Sequence, residues 1–170
     1  KDLQAAVIEI KSQLSANPLA VVYFASSDYA PEEISKGMND AFPRAKVFGC
    51  TTAGEFVNGH SLESAVVAMA LEDDIIEDIE IACVENISDK VDLKKAFTAF
   101  EKHFGQSLLS MEIDKYVGLV LVDGLSMAEE NIMDKIGAMT NVFFVGGSAG
   151  DNGAFKETFV YANGNIYKNA

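Results

Sequence analysis

The chain has 170 residues, 49% of them hydrophobic, and a formal net charge of −13. That length suits a single domain over residues 1–170, and the composition excludes a disordered chain. With 13 Lys and Arg scattered among 26 Asp and Glu, no basic cluster exists to hold nucleic acid or dock on anionic lipid.

Residues 2–16 carry Leu3, Val7, Ile10 and Leu14 at helical spacing, stopped by Asn17-Pro18. Leu19 to Ala25 reads as a buried strand. A polar turn follows, then Pro31-Glu32-Glu33, a helix start with its core face on Ile34, Met38, Ala41 and Phe42. Pro43 ends that helix, and Val47-Phe48 begin a strand running into Gly49-Cys50-Thr51-Thr52-Ala53-Gly54-Glu55. Ala65 to Leu71 is almost wholly apolar, as in a strand covered on both faces. Ile79, Ile81 and Cys83 alternate like a half-buried strand. The acidic group Glu72, Asp73, Asp74, Glu77 and Asp78 reads as a solvated turn and strand edge.

Ser88 is a candidate cap for a helix with Leu93, Phe97, Phe100 and Phe104 on one face, closed by Gly105. Residues 106–115 read as a polar connector, and Tyr116 to Val122 as the next strand. Ser126 and Glu129 fit a capping box before a helix with Ile132, Met133, Ile136 and Met139 buried. Met127, Met133 and Met139 are all expected in the core. Val142 to Val145 reads as a buried strand cut off by Gly146-Gly147-Ser148-Ala149-Gly150-Asp151, whose glycines permit positive φ and close backbone approach. Thr158–Ala162 and Ile166-Tyr167 flank Asn163-Gly164, a strong hairpin signal.

Two halves of the chain rhyme. In each, a strand leads to a helix opening on small and acidic residues, then to a strand, a glycine loop and a hairpin. The two glycine segments share a hydroxyl residue, Ala, Gly and an acid in that order. The expected fold is α/β: a mixed sheet with two β-α-β units and antiparallel hairpins, helices packed on the sheet. Right-handed crossovers make each strand pair parallel. If the units pack about a pseudo-twofold, both glycine segments open onto one cavity.

Phe24-Ala25-Ser26 before a proline-glutamate helix, Gly49 to Glu55, Val122-Asp123-Gly124-Leu125-Ser126 and Val145 to Asp151 together resemble the FIST family, more narrowly its N-terminal domain, over about Val21 to Gly164. The resemblance implies a sensory module of a signalling protein that binds a small ligand such as an amino acid or derivative. It also implies a C-terminal FIST domain and an output module as partners. The chain lacks an initiator methionine and reads as the first half of a longer protein, able to form a homodimer through an exposed apolar patch.

From the residues themselves, the candidate ligand site is Cys50, Thr51, Thr52, Gly54, Glu55, Asp123, Gly146, Gly147, Ser148, Gly150 and Asp151. An acid just past a strand end suits a ligand ammonium, while glycine amides and hydroxyls suit a carboxylate. Turn chemistry is the competing role for Glu55, Asp123 and Asp151. A catalytic alternative is a hydrolase or transferase with Ser148, in Gly-x-Ser-x-Gly, or Cys50, which His60 reaches only if its loop folds back, as nucleophile. A nucleophile elbow needs a helix directly after the serine, and Asp151-Asn152-Gly153 supplies none. Gly49-x-x-x-x-Gly54 lacks the Lys-Ser/Thr ending of a P-loop, and the acids have no metal-binding spacing, so neither cofactor nor metal is expected. Cys50 and Cys83 lack a CxxC or Cys/His partner set, which fits a reducing, cytoplasmic setting. No apolar run reaches the ~18 residues of a membrane span, and no signal peptide is visible.

Overall fold

The computed structural model describes residues 2–170. Asp2 opens helix α1 (Leu3–Gln13) by accepting a bond from the Ala5 amide at 3.1 Å, as an N-cap carboxylate does. The helix ends short of the expected residue 16. Asn17-Pro18 bar further helix, and the apolar run beyond becomes strand β1 (Ala20–Ser26), almost entirely buried. Pro31 takes the first position of helix α2 (Pro31–Ala41), where an N–H has no helical partner in any case, and Glu32 and Glu33 sit at the positive end of the helix. Strand β2 (Lys46–Thr52) returns parallel to β1. A short hairpin, β3 (Glu55–Val57) and β4 (His60–Leu62), turns on left-handed Asn58 and Gly59. Strand β5 (Val66–Leu71) then runs antiparallel along β1.

Helix α3 (Lys94–Phe104) stops at Gly105, whose φ of 69° is the left-handed cap the sequence announced. Strand β6 (Val117–Asp123), helix α4 (Glu129–Met139) and strand β7 (Phe143–Ala149) form the second unit, with β6 and β7 parallel. Strands β8 (Val160–Ala162) and β9 (Asn165–Tyr167) flank Asn163 and Gly164, both at positive φ, as a two-residue hairpin of the primed type requires. The class is the mixed α/β expected. One sheet runs β5-β1-β2-β8-β9, while β6-β7 and β3-β4 each form a separate pair.

The internal repeat is present in backbone geometry. Ala20 pairs with Lys46 and Val117 with Phe143, so each unit joins residues 26 positions apart, over strands of 7 residues around helices of 11. Gly49 and Gly146 hold matching places. A Cβ on Gly49 would lie 2.0 Å from the Tyr23 carbonyl oxygen, and one on Gly146 would lie 1.7 Å from that of Val120. In both cases the carbonyl belongs to the register partner on the neighbouring strand.

One core packs α1 and α2 on the larger sheet around Val21, Tyr23, Ile34, Met38 and Tyr161. A second packs α3 and α4 on β6 and β7 around Phe97, Val122, Ile132 and Ile136, with Phe100, Phe104 and Met139 partly buried against it.

Several expectations change. β5 is an edge strand with Met69 exposed, since short Val and Ala side chains satisfy one covered face as readily as two. Residues 79–84 form no ladder, although Ile79 and Ile81 still pack on the core. Ser88 caps nothing; its N–H donates to Asn169, and α3 begins after Leu93. The Ser126–Glu129 capping box is absent, because left-handed Met127 turns the chain between them. Met127 is 88% exposed and Met133 also faces solvent, which removes both from the core. Val142 is buried as expected, but Val117, Phe143 and Val145 are 70%, 65% and 57% exposed, so one face of the β6-β7 pair is bare and apolar.

Candidate functional site

The tips of β2 and β7 meet. The Gly150 N–H donates to the Thr51 carbonyl at 2.9 Å, and Ala53 lies so near that a side chain on Gly150 would come within 3.1 Å of it. Around this contact opens a cleft of about 430 Å³. The first unit supplies Cys50, Thr52, Ala53 and Gly54; the second supplies Gly146, Gly147, Ser148 and Gly150. Phe24, Leu119 and Leu121 complete an apolar wall. None of those three was legible as a site residue, because alternation along a strand does not say which face meets a cavity. The register shows it afterwards: Phe24 lies opposite Cys50 and Leu121 opposite Gly147.

The glycine segments are not loops. Gly49 to Thr52 and Gly146 to Ala149 are extended strand, and of the glycines named for the site only Gly54, at φ 144°, has positive φ. Close approach rather than turning explains the others. Gly147 is the exception, with open space where a side chain would stand.

The remaining predicted residues surround the cleft without lining it. Thr51 is buried, and its Oγ1 accepts from the Phe159 amide at 3.0 Å, tying β2 to the strand beside it. Glu55 accepts from the Thr52 hydroxyl and, at 3.3 Å, from the Ala65 amide. Asp123 accepts from the Leu125 amide at 3.0 Å, the Asn169 amide at 2.5 Å and the Thr158 hydroxyl. Asp151 gathers the amides of Lys156, Phe155 and Glu157 at 2.5, 2.8 and 3.1 Å. Those bonds, the Lys156 amide foremost, hold its carboxyl below the usual range. All three acids therefore organise backbone rather than face the cleft.

No Lys, Arg, Asp or Glu lines the cleft among the described residues. The nearby carboxylate is that of Glu129, at the start of α4, which accepts the Ser148 hydroxyl at 2.7 Å. Among the described residues no group of three or more His, Cys, Asp or Glu is placed to hold a metal. His103, on α3, contacts Asp78 at 2.8 Å and Glu80 at 3.5 Å, an arrangement far along the chain that spacing does not reveal.

Nucleophilic chemistry finds little support in this geometry. Burial pushes the Cys50 thiol up to about 12, so thiolate is scarce at neutral pH. His60 sits on exposed β4 while Cys50 is buried. Ser148 stands in an extended strand, and its partner is a carboxylate rather than an imidazole. With iodoacetamide at pH 7, Cys83, the exposed thiol, is expected to label well before Cys50. Mass spectrometry after timed quenching gives the order.

The FIST N domain matches residues 19–170, nine-tenths of the chain and both repeated units. The chain belongs to the FIST family. The family is one of sensory domains, which suggests a role in signal transduction. An uncharacterized protein of Methanocaldococcus jannaschii, MJ1623, is 24% identical over 139 residues, covering 81% of this chain and 27% of that protein. The chain thus spans about a quarter of the curated relative it matches. No solved structure matches significantly. No helix among the described residues of this FIST domain is long and apolar enough to cross a membrane.

Proposed function

We propose that this FIST domain senses a small polar molecule, an amino acid or derivative, held without turnover in the cleft between β2 and β7. The observation that supports this best is the meeting of two repeated strand tips on one hollow of about 430 Å³, within the range of small-molecule sites. Peptide N–H groups of the glycine segments suit a carboxylate, while the hydroxyls of Thr52 and Ser148, already donated to Glu55 and Glu129, offer acceptor oxygens. Glu129, half-buried beside Ser148, replaces Glu55, Asp123 and Asp151 as partner for an ammonium. Phe24, Leu119 and Leu121 take an apolar side chain.

The bare apolar face of β6 and β7 fits the docking of a C-terminal FIST domain, with a signalling output module beyond it in a cytoplasmic protein. Alone, the same face favours a homodimer.

Differential scanning fluorimetry against the amino acids and their simple derivatives tests the site. A true ligand at 100 times its Kd stabilises by about 2.7 kcal/mol through mass action. Gly147→Trp, which places an indole in the open space of the cleft, should abolish the shift. A shift that survives Gly147→Trp, or the absence of any shift, overturns the reading. Ester turnover lost on Ser148→Ala would replace it with an enzyme.

A further inference from the structure

We propose that the domain holds a second ligand site, which shares Leu119 and Leu121 with the cleft: an apolar chamber between the larger sheet and β6 that takes a small, flat, uncharged aromatic molecule. The chamber has a volume of about 160 Å³. Its walls come from Phe48 of β2, residues 160–162 of β8, residues 119–122 of β6, Phe97 and Phe100 of α3, and the unladdered stretch 81–84. Protein interiors pack as densely as organic crystals, and few voids exceed a water molecule. An apolar void of ~150 Å³ stays dry and admits benzene. A hollow of this size and lining is therefore matched to one aromatic ring system.

Charge and hydrogen bonding narrow the class. Among the described residues no Lys, Arg, Asp or Glu lines the chamber, so an ionised guest would lose its hydration with no compensating partner. Two of its walls are backbone outside full ladders: β6 pairs in its sheet with β7 alone, and residues 79–84 pair with nothing in a ladder. Such segments keep peptide groups available to a guest with one ring N–H or carbonyl. Cys83 is exposed yet contributes to the wall, which marks where the chamber reaches solvent.

Indole is the probe, with benzoate as its charged counterpart. Isothermal calorimetry of the purified chain should show saturable indole binding with a negative heat-capacity change, and the melting temperature should rise with indole but not with benzoate. Ala96→Leu extends a lining side chain from α3 and should abolish the indole response. If that variant fails to fold, Ala82→Leu fills the chamber from the stretch 81–84. Ala96 and Ala82 line the chamber and not the cleft, so the filled variants should keep the amino-acid response while losing that to indole, which tells the two sites apart. Wild-type protein that ignores millimolar indole, or a response that persists in the filled variants, overturns the proposal.

Discussion

Gly49→Ala and Gly146→Ala are each expected to lose about 3 kcal/mol or more of stability. Both residues lie in extended strand with ordinary φ, so the cost is purely one of space. The added methyl would stand 2.0 Å from the Tyr23 carbonyl oxygen in one case and 1.7 Å from the Val120 oxygen in the other. Those oxygens belong to strands held parallel over 7 register pairs, so relief requires parting a ladder rather than turning a side chain. Overpacking a well-filled site commonly costs 1–3 kcal/mol, and a backbone clash belongs at or above the upper end. Gly147→Ala is the control. Nothing lies within 4 Å of its methyl, so the change should be neutral or stabilising by a few tenths of a kcal/mol. Urea unfolding with an unchanged m value compares the three. A Gly49→Ala midpoint equal to that of Gly147→Ala would show that the strands adjust freely, and the shared glycine would then say nothing about the repeat.

That pair of glycines also shows where reading the sequence stopped. Helices α2 and α3, the Asn163-Gly164 hairpin and both strand-helix-strand units follow from proline, glycine and apolar spacing, which are local signals. Gly49 and Gly146 look like breakers because glycine usually is one, and the demand for them comes from a carbonyl on another strand. No local pattern records that demand. The apolar stretches of β6 and β7 carry the composition of buried strands, yet Val117, Phe143 and Val145 are exposed. Composition registers what a strand is able to bury and not what lies against it. The site divides along the same line. The residues chosen for smallness near a strand tip (Cys50, Thr52, Gly54, Gly146, Gly147, Ser148 and Gly150) line the cleft, while Thr51 and the acids chosen for charge turned inward to the backbone. A carboxylate one or two residues past a strand sits beside several free amides, and those amides are closer partners than any ligand.

Asp123→Ala is expected to be about as damaging, near 4 kcal/mol, although the residue touches no part of the cleft. Its carboxylate is 5% exposed and receives the Leu125 amide, the Asn169 amide and the Thr158 hydroxyl. Deleting it leaves three donors without a partner, each costing roughly 1–3 kcal/mol while buried, less whatever water recovers. The damage should spread along one route. The Asp123 N–H donates to the Ala170 carbonyl, and Asn169 in turn receives the Ile87 and Ser88 amides at 3.1 and 2.8 Å. Hydrogen exchange should therefore quicken first at Ile87, Ser88 and Asn169, ahead of β1 and β2. Asp123→Asn separates the two roles an acid at this position might be given. The amide keeps one acceptor oxygen but turns an –NH₂ toward an N–H or O–H donor, so a structural hub predicts a stability loss smaller than that of Asp123→Ala but still measurable. A carboxylate reserved for a ligand ammonium predicts the reverse: unchanged unfolding in urea and a lost thermal shift with amino acids. The three bonds already made by this side chain support the first.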